Sequence, residues 1–290
     1  MNNHLIIGYG KWSKKNLAYL EKKKFFDKII IKRRDKYFFY SKKRKLNKLK
    51  FNEILKSIKS VHICSPIKTH FTYLKRFNFF EKTIVEKPFV EKLSQLKTIK
   101  DIYKNKYFLV NYIDTFNPLI PKIKKSLDKK KFNQIILNYS KKDKFYKNKH
   151  EFALEWLDHP LSLILLFFKR FPKMQIKSHQ IIKKNNHYNQ KIIINYNFKS
   201  FNLIVKLNCS LKIERNLQII DKKNIQTFHF YKNSIYKNNK KTYMTRKNSF
   251  DNFYNSLLKK QKNPNQNFDF HKKIILERNK ILKSLKKTKL

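Results

Sequence analysis

Gly8 and Gly10 are the only two glycines in 290 residues, and one residue separates them. They follow the apolar run Leu5-Ile6-Ile7 and precede a stretch with helical periodicity, in the order Gly8-Tyr9-Gly10-Lys11-Trp12-Ser13. A strand-to-helix turn that receives a dinucleotide needs one glycine for the tight bend and a second so that backbone can approach the pyrophosphate. Its third position must be small enough for the helix to pack on the strand. Ser13 takes that third place. In a chain so poor in glycine, both residues falling at this junction argue for a nucleotide loop over an ordinary turn. Gly8, Gly10, Trp12 and Ser13 are accordingly its expected cofactor contacts.

Other chemistry-bearing residues cluster at predicted strand ends. The second strand runs into Arg33, Arg34 and Asp35; arginines here suit a 2′-phosphate and favour NADP(H) over NAD(H). In so basic a chain adjacent arginines are also cheap, so NAD stays open. Ser65-Pro66 closes another strand, with His70 on the helix that follows, and Glu86-Lys87-Pro88 closes a third. Ligands of open parallel sheets bind at carboxyl strand ends, so Ser65, Pro66, His70, Glu86, Lys87 and Pro88 join the candidate cofactor site. A lysine there can polarise or protonate a carbonyl oxygen during hydride transfer. Further on, Glu155 and His159 stand four apart on one predicted helix, where carboxylate and imidazole share a face and can shuttle a proton. A surface ion pair is the plain alternative. A zinc pair lacks further ligands at suitable spacing, so no metal is expected.

The elements that must position these residues alternate in the first half. Strands are predicted at His4–Ile7, Lys28–Lys32, Val61–Cys64, Thr83–Val85 and Tyr107–Tyr112. Helices are predicted at Ser13–Lys24, Phe51–Lys59, Thr69–Phe77 and Lys92–Tyr103, with a basic loop after the second strand. That alternation implies right-handed crossovers and a parallel sheet. After about residue 130 come a strand at Phe132–Tyr139, one helix over Phe152–Phe168, and alternating runs at 174–182, 191–198, 201–207 and 211–220. Two helices, near 249–260 and 270–285, end the chain. The fold class is therefore α/β: a parallel-sheet dinucleotide domain over 1–114, then an α+β domain with an open antiparallel sheet over 115–290.

The 70 Lys and Arg against 19 Asp and Glu give a net charge of +51. Nucleic-acid binding accounts for the cationic surplus alone. A bias toward AT-rich codons accounts for the surplus and for the scarcity of glycine and proline together. The lysines are spread along the chain, so no specific nucleic-acid partner is inferred. Cys64 and Cys209 form no disulfide framework and read as reduced core residues. The longest apolar run, 161–168, is too short for a bilayer, and no signal-peptide pattern opens the chain; the cytoplasm is the expected compartment, with no membrane partner.

Taken in order, GYGKWSKKN, CSPIKTH, VEKP, NYIDTFNP and LEWLDHPLSL resemble the glucose–fructose oxidoreductase / inositol dehydrogenase (Gfo/Idh/MocA) family over residues 4–170. The resemblance implies a Rossmann domain, a C-terminal sheet that mediates homo-oligomerisation, and NAD(P)-dependent redox chemistry at a secondary alcohol of a sugar, cyclitol or nucleotide-sugar. It makes Lys87 the catalytic lysine and gives Glu86 and Pro88 the nicotinamide-ribose contact. The family's D-x-x-x-H motif falls on Glu155 and His159, with His159 as the proton-transfer residue. Glu155 replaces the usual Asp, Leu157 and Pro160 alter their neighbours, and Asp158 faces about 100° away from the required side. A catalytically impaired dinucleotide binder serving as sensor or structural subunit is the alternative.

Overall fold

The computed structural model describes residues 3–34, 36–40, 45–46, 48–129, 132–142, 146–210, 213–261 and 263–287. The chain divides into two units, Met1–Asn111 with Ser256–Ile275 and Tyr112–Asn255 with Leu276–Leu290. The sequence-based division at 114/115 assigns the whole C-terminal stretch to the second domain, whereas residues 256–275 belong with the first unit.

In the first unit, β1 (Asn3–Ile7), β2 (Lys28–Arg33), β3 (Lys36–Phe39), β4 (Lys45–Leu46), β5 (Ile58–Ile63), β6 (Lys82–Glu86) and β7 (Tyr107–Asn111) form one sheet, ordered β4-β3-β2-β1-β5-β6-β7. The run β2-β1-β5-β6-β7 is parallel. Crossovers are supplied by α1 (Lys11–Lys23), α2 (Lys48–Leu55), α3 (Ile67–Arg76) and α4 (Leu93–Ile102). All five residues of β1 are buried, so both faces of the sheet are covered there. Leu5 and Ile6 are fully buried, and each such side chain contributes about 1.5–3 kcal/mol relative to exposure.

Two details differ from expectation. The basic loop after β2 contains a hairpin: β3 pairs antiparallel with β2, from Arg33↔Lys36 to Ile30↔Phe39, and Arg34 takes the left-handed conformation (φ 53°) that a two-residue turn requires. Asp35 lies outside the described residues. The helix expected to reach Lys59 ends at Leu55, because Ile58 is drawn into β5 opposite Asn3 and buried.

In the second unit, β8 (Gln134–Lys142), β9 (Met174–Lys184), β10 (His187–Asn197), β11 (Asn202–Ser210), β12 (Glu214–Ile220), β13 (Ile225–His229), β14 (Ser234–Lys237) and β15 (Lys240–Met244) form a sheet ordered β15-β14-β13-β12-β8-β11-β10-β9. It is antiparallel except between β8 and β11. Strands β13 to β15 are additional to the runs predicted. A 3-10 turn at Ile113–Phe116 and helix α5 (Ile120–Lys129) precede β8.

The single helix expected over 152–168 is two, α6 (Glu151–Trp156) and α7 (Asp158–Phe168). Pro160 has no N–H to give the Trp156 carbonyl, so a continuous helix would lose a bond there. In the third position of a new helix that loss costs nothing. Every residue from Asp158 to Leu166 is buried, as befits a helix apolar around its circumference. Helices α8 (Ser249–Leu258) and α9 (Phe268–Lys287) end the chain and contribute residues to both units. Among the described residues no helix is long and apolar enough to cross a membrane.

Candidate active site

The glycine loop sits at the carboxyl edge of the first sheet. Gly8 N donates to Lys32 O (2.9 Å), and Cys64 N donates to Ile7 O (2.8 Å), so the loop leaves β1 wedged between its two neighbours. Gly8 has φ +107°, and an added Cβ would lie 2.8 Å from the Cys64 carbonyl oxygen. Only glycine fits that turn. At Gly10 the opposite holds: a Cβ would meet nothing within 4 Å. Gly10 is the N-cap of α1, which has no side-chain cap and no acidic residue in its first turn. A backbone surface open to solvent, with uncapped amides behind it, is suited to phosphate oxygens. Ser13 is fully buried and turns its hydroxyl back onto Gly10 O (2.9 Å), so it meets the requirement for a small third residue. Trp12 is half-buried beneath the Lys15 ammonium, 5.6 Å from the ring centroid.

Arg33 and Arg34 are both exposed at the end of β2. The Arg33 guanidinium and the Lys14 ammonium lie 5.7 and 5.1 Å from the Tyr9 ring, gathering two cations beside the loop. The buried Lys32 ammonium donates to the Arg34 carbonyl and helps to hold the hairpin turn.

The Ser65-Pro66 loop and the Glu86-Lys87-Pro88 turn are joined by His70, which is 1% exposed. Its Nε2 faces Ser65 O at 2.7 Å, and its Nδ1 faces Pro88 O at 3.0 Å and Phe89 O at 3.2 Å. Burial pulls its pKa down while these carbonyls pull it up, and the ring bridges the two loops. Ser65 Oγ accepts from Thr69 at 2.8 Å, and Pro66 caps α3. The Lys87–Pro88 peptide is cis, and Lys87 is half-buried. Glu86 points inward: its Oε1 is 2.8 Å from His62 Nε2 and accepts from Asn111 Nδ2 at 2.8 Å. His62, Cys64 and Glu86 have ligand atoms within 4.8 Å of one another. Burial and the Glu86 charge push the Cys64 thiol well up, so this group has the character of a hydrogen-bonded pair beside a neutral thiol. The Cys209 side chain lies outside those described.

The second unit holds the remaining candidates. The ion pairs found for Glu155 and His159 are with other residues. Glu155, on α6, is 36% exposed and accepts from Lys141 Nζ at 2.9 Å, while Lys141 also donates to Tyr146 OH at 3.0 Å. His159, on α7, is buried, with Nδ1 2.8 Å from Asp114 Oδ2. The Asp114 carboxylate also accepts from Tyr139 OH (3.0 Å) and from Arg215 Nη1 (3.4 Å). Burial alone would raise its pKa, but Arg215, His159 and Tyr139 together hold the carboxyl well below the usual range. Asp158 is no substitute either. Its oxygens lie 3.0 and 2.9 Å from Arg278 Nη1, in a pair at most 1% exposed. Leu157 joins the two helices with helical dihedrals (φ −58°, ψ −36°).

Asp114, Tyr139, Arg215 and Lys141 are site residues that spacing did not identify, because they come from the 3-10 turn, β8 and β12. One signal was available. Asp114 sits inside the NYIDTFNP segment and is among only 19 acidic residues in the chain.

No protein-family model and no curated protein sequence matches this chain. Solved structures do match it. A dehydrogenase (MviM) from Clostridium difficile is 16% identical, with a TM-score of 0.77 over 98% of this chain and 99% of that one. UDP-N-acetylglucosamine 3-dehydrogenase GnnA from Acidithiobacillus ferrooxidans is 10% identical, with a TM-score of 0.71 over 96% of each chain. A Gfo/Idh/MocA family oxidoreductase from Vibrio cholerae is 13% identical, with a TM-score of 0.70 over 99% of this chain and 100% of that one. At these identities the likeness is one of fold: this chain has the fold of Gfo/Idh/MocA oxidoreductases along nearly its whole length.

Proposed function

We propose that this protein is an NAD(P)-dependent oxidoreductase acting on a secondary alcohol or ketone of a sugar, cyclitol or nucleotide-sugar. The observation that carries the reading is the loop at Gly8 and Gly10. One position excludes any side chain and the other opens backbone to solvent before an uncapped helix, at the carboxyl edge of a parallel sheet. The residues present fit a dinucleotide: the α1 amides and Gly10 for the pyrophosphate, and Arg33 with Lys14 for a 2′-phosphate, which favours NADP(H). When bound, the nicotinamide accepts or supplies the hydride. Lys87 is assigned to polarise the substrate oxygen, and His159 to take the hydroxyl proton as the carbonyl forms and return it in the reverse direction. The substrate class follows the motif resemblance and accords with the name of the UDP-N-acetylglucosamine 3-dehydrogenase that shares the fold.

The test begins with a thermal-shift titration against NADPH and NADH, with inorganic polyphosphate as the anion control. At a hundred times its Kd, a true ligand adds about 2.7 kcal/mol of stability. A shift beyond the control with either dinucleotide is the expected result; a response equal to polyphosphate means charge-driven binding and ends the oxidoreductase reading. Lys87→Met should then lower turnover at least about 10²-fold, the scale of a lost acid–base group, while the dinucleotide shift persists. An undiminished rate removes Lys87 from the chemistry.

A further inference from the structure

We propose that Asp114 is the positioning residue for His159, supplying from the segment after β7 the carboxylate that the motif resemblance places on the helix four residues before the histidine. Its catalytic consequence rests on the oxidoreductase reading above; its geometry does not.

An ionised carboxylate only accepts hydrogen bonds. Asp114 accepts from Tyr139 OH on one oxygen, with His159 Nδ1 2.8 Å from that same oxygen, and from Arg215 on the other, and it is 4% exposed. Tyr139 remains a donor, since burial and the neighbouring carboxylate keep its phenol protonated. His159 Nδ1 must therefore also bring a hydrogen. In the neutral ring that leaves the lone pair on Nε2, the form a general base needs. The plane of the ring is set as well. Tyr139 stacks on it at 5.7 Å between centroids, and Trp156 lies at 5.4 Å. The Arg215 guanidinium, 5.1 Å from the Trp156 ring, ties that indole to the same cluster.

Glu155 and Asp158, the acidic residues within four positions of His159, have other partners. Glu155 is held by Lys141, and Asp158 is held by Arg278. Asp114 is thus the carboxylate that sets the tautomer and orientation of His159. In alcohol oxidation the hydride acceptor would be the dinucleotide held by the glycine loop, and the role left to His159 is the hydroxyl proton. The O–H proton passes to His159 Nε2, and the C=O bond forms from the electrons of the O–H bond. The Asp114 carboxylate faces the resulting imidazolium and takes no proton itself.

The deciding measurement is the tautomer of His159 by ¹⁵N-resolved NMR of the full chain without cofactor, its signal assigned by loss in His159→Gln. The wild type should carry the proton on Nδ1. In Asp114→Asn the side-chain amide can donate to Nδ1, so the proton should move to Nε2; Glu155→Gln should leave the tautomer as it was. Under the oxidoreductase reading, kcat for alcohol oxidation in Asp114→Asn should fall about 10²- to 10⁴-fold, the range of a histidine held in the wrong tautomer, with KM changed far less. A wild-type Nε2–H tautomer overturns the proposal, and that spectrum decides even if Asp114→Asn does not fold. A flip in Glu155→Gln instead of Asp114→Asn also overturns it and restores the helix pair. If the wild type oxidises no alcohol with either dinucleotide, the functional reading falls while the tautomer still decides the role of Asp114.

Discussion

The first unit buries mainly imidazole rings, the second carboxylates paired with arginines. His4, His70 and His271 lie inside the first unit, and burial pulls the pKa of each below the ordinary value; His271, among Phe89, Phe108, Phe268 and Phe270, falls to about 3. The second unit buries Asp114 against Arg215 and Asp158 against Arg278. A neutral imidazole costs little to bury but resists protonation only through its surroundings. A charge pair carries a large desolvation cost from the start and is vulnerable chiefly to loss of one partner. The same residue types therefore predict different failures in the two units.

The largest effect expected from testing this contrast is at Asp158. Asp158→Ala leaves the Arg278 guanidinium buried and uncompensated, and should lower stability in urea by about 3–5 kcal/mol. Replacing both partners, Asp158→Leu with Arg278→Met, should recover most of that. A loss below about 1 kcal/mol in the single variant would mean that water reaches the pair and that the second unit is not organised around it.

Acid should separate the units next. An unfolded chain protonates His271 as pH falls below its ordinary 6.5, whereas the folded ring accepts a proton only near pH 3. This histidine's contribution is thus complete above about pH 6.5 and is lost progressively as pH falls toward 3. His4 and His70 act in the same direction. Asp114 works in a lower window: its contribution is complete above the ordinary carboxyl value of 3.8 and is lost only as pH falls below it. His150, His179 and His229 of the second unit are lowered too but are half-buried, so they weaken the contrast only slightly. The chain's two tryptophans, Trp12 and Trp156, fall one in each unit, so Trp156→Phe and Trp12→Phe give separate fluorescence reports. Between pH 6.5 and 4.5 the urea midpoint read by Trp12 should fall and that read by Trp156 should hold. Equal losses in both signals would break the comparison. The smallest effect belongs to Glu155→Gln, which removes a partly exposed pair with Lys141 and should change stability by less than about 1 kcal/mol.

Legibility followed the range over which each feature is set. The glycine loop was readable because two scarce residues stood beside a strand and a helix whose periodicities were both local. Asp114 was harder to see, being one of 19 acidic residues with no helical or strand spacing to His159. The β2–β3 hairpin was hidden because Lys36-Tyr37-Phe38-Phe39 lies in lysine-rich sequence that reads as loop. The α6–α7 break was readable in principle from Pro160. The apolar residues continuing beyond it masked the missing N–H.

The sequence by itself determined the parallel β/α order of the first hundred residues and the turn that only glycine can make at Gly8, while the candidacy of Lys87 and His159 is what the motif resemblance implies. The order and the turn depend on backbone sterics and short-range periodicity, which operate over a few residues. The tertiary structure decided which carboxylate faces which base. Asp114 and His159 are 45 positions apart in the chain, and Asp158 and Arg278 are 120 apart. Pairings over such separations follow from how the sheet and helices pack, because a buried charge settles on whichever partner packing brings within reach.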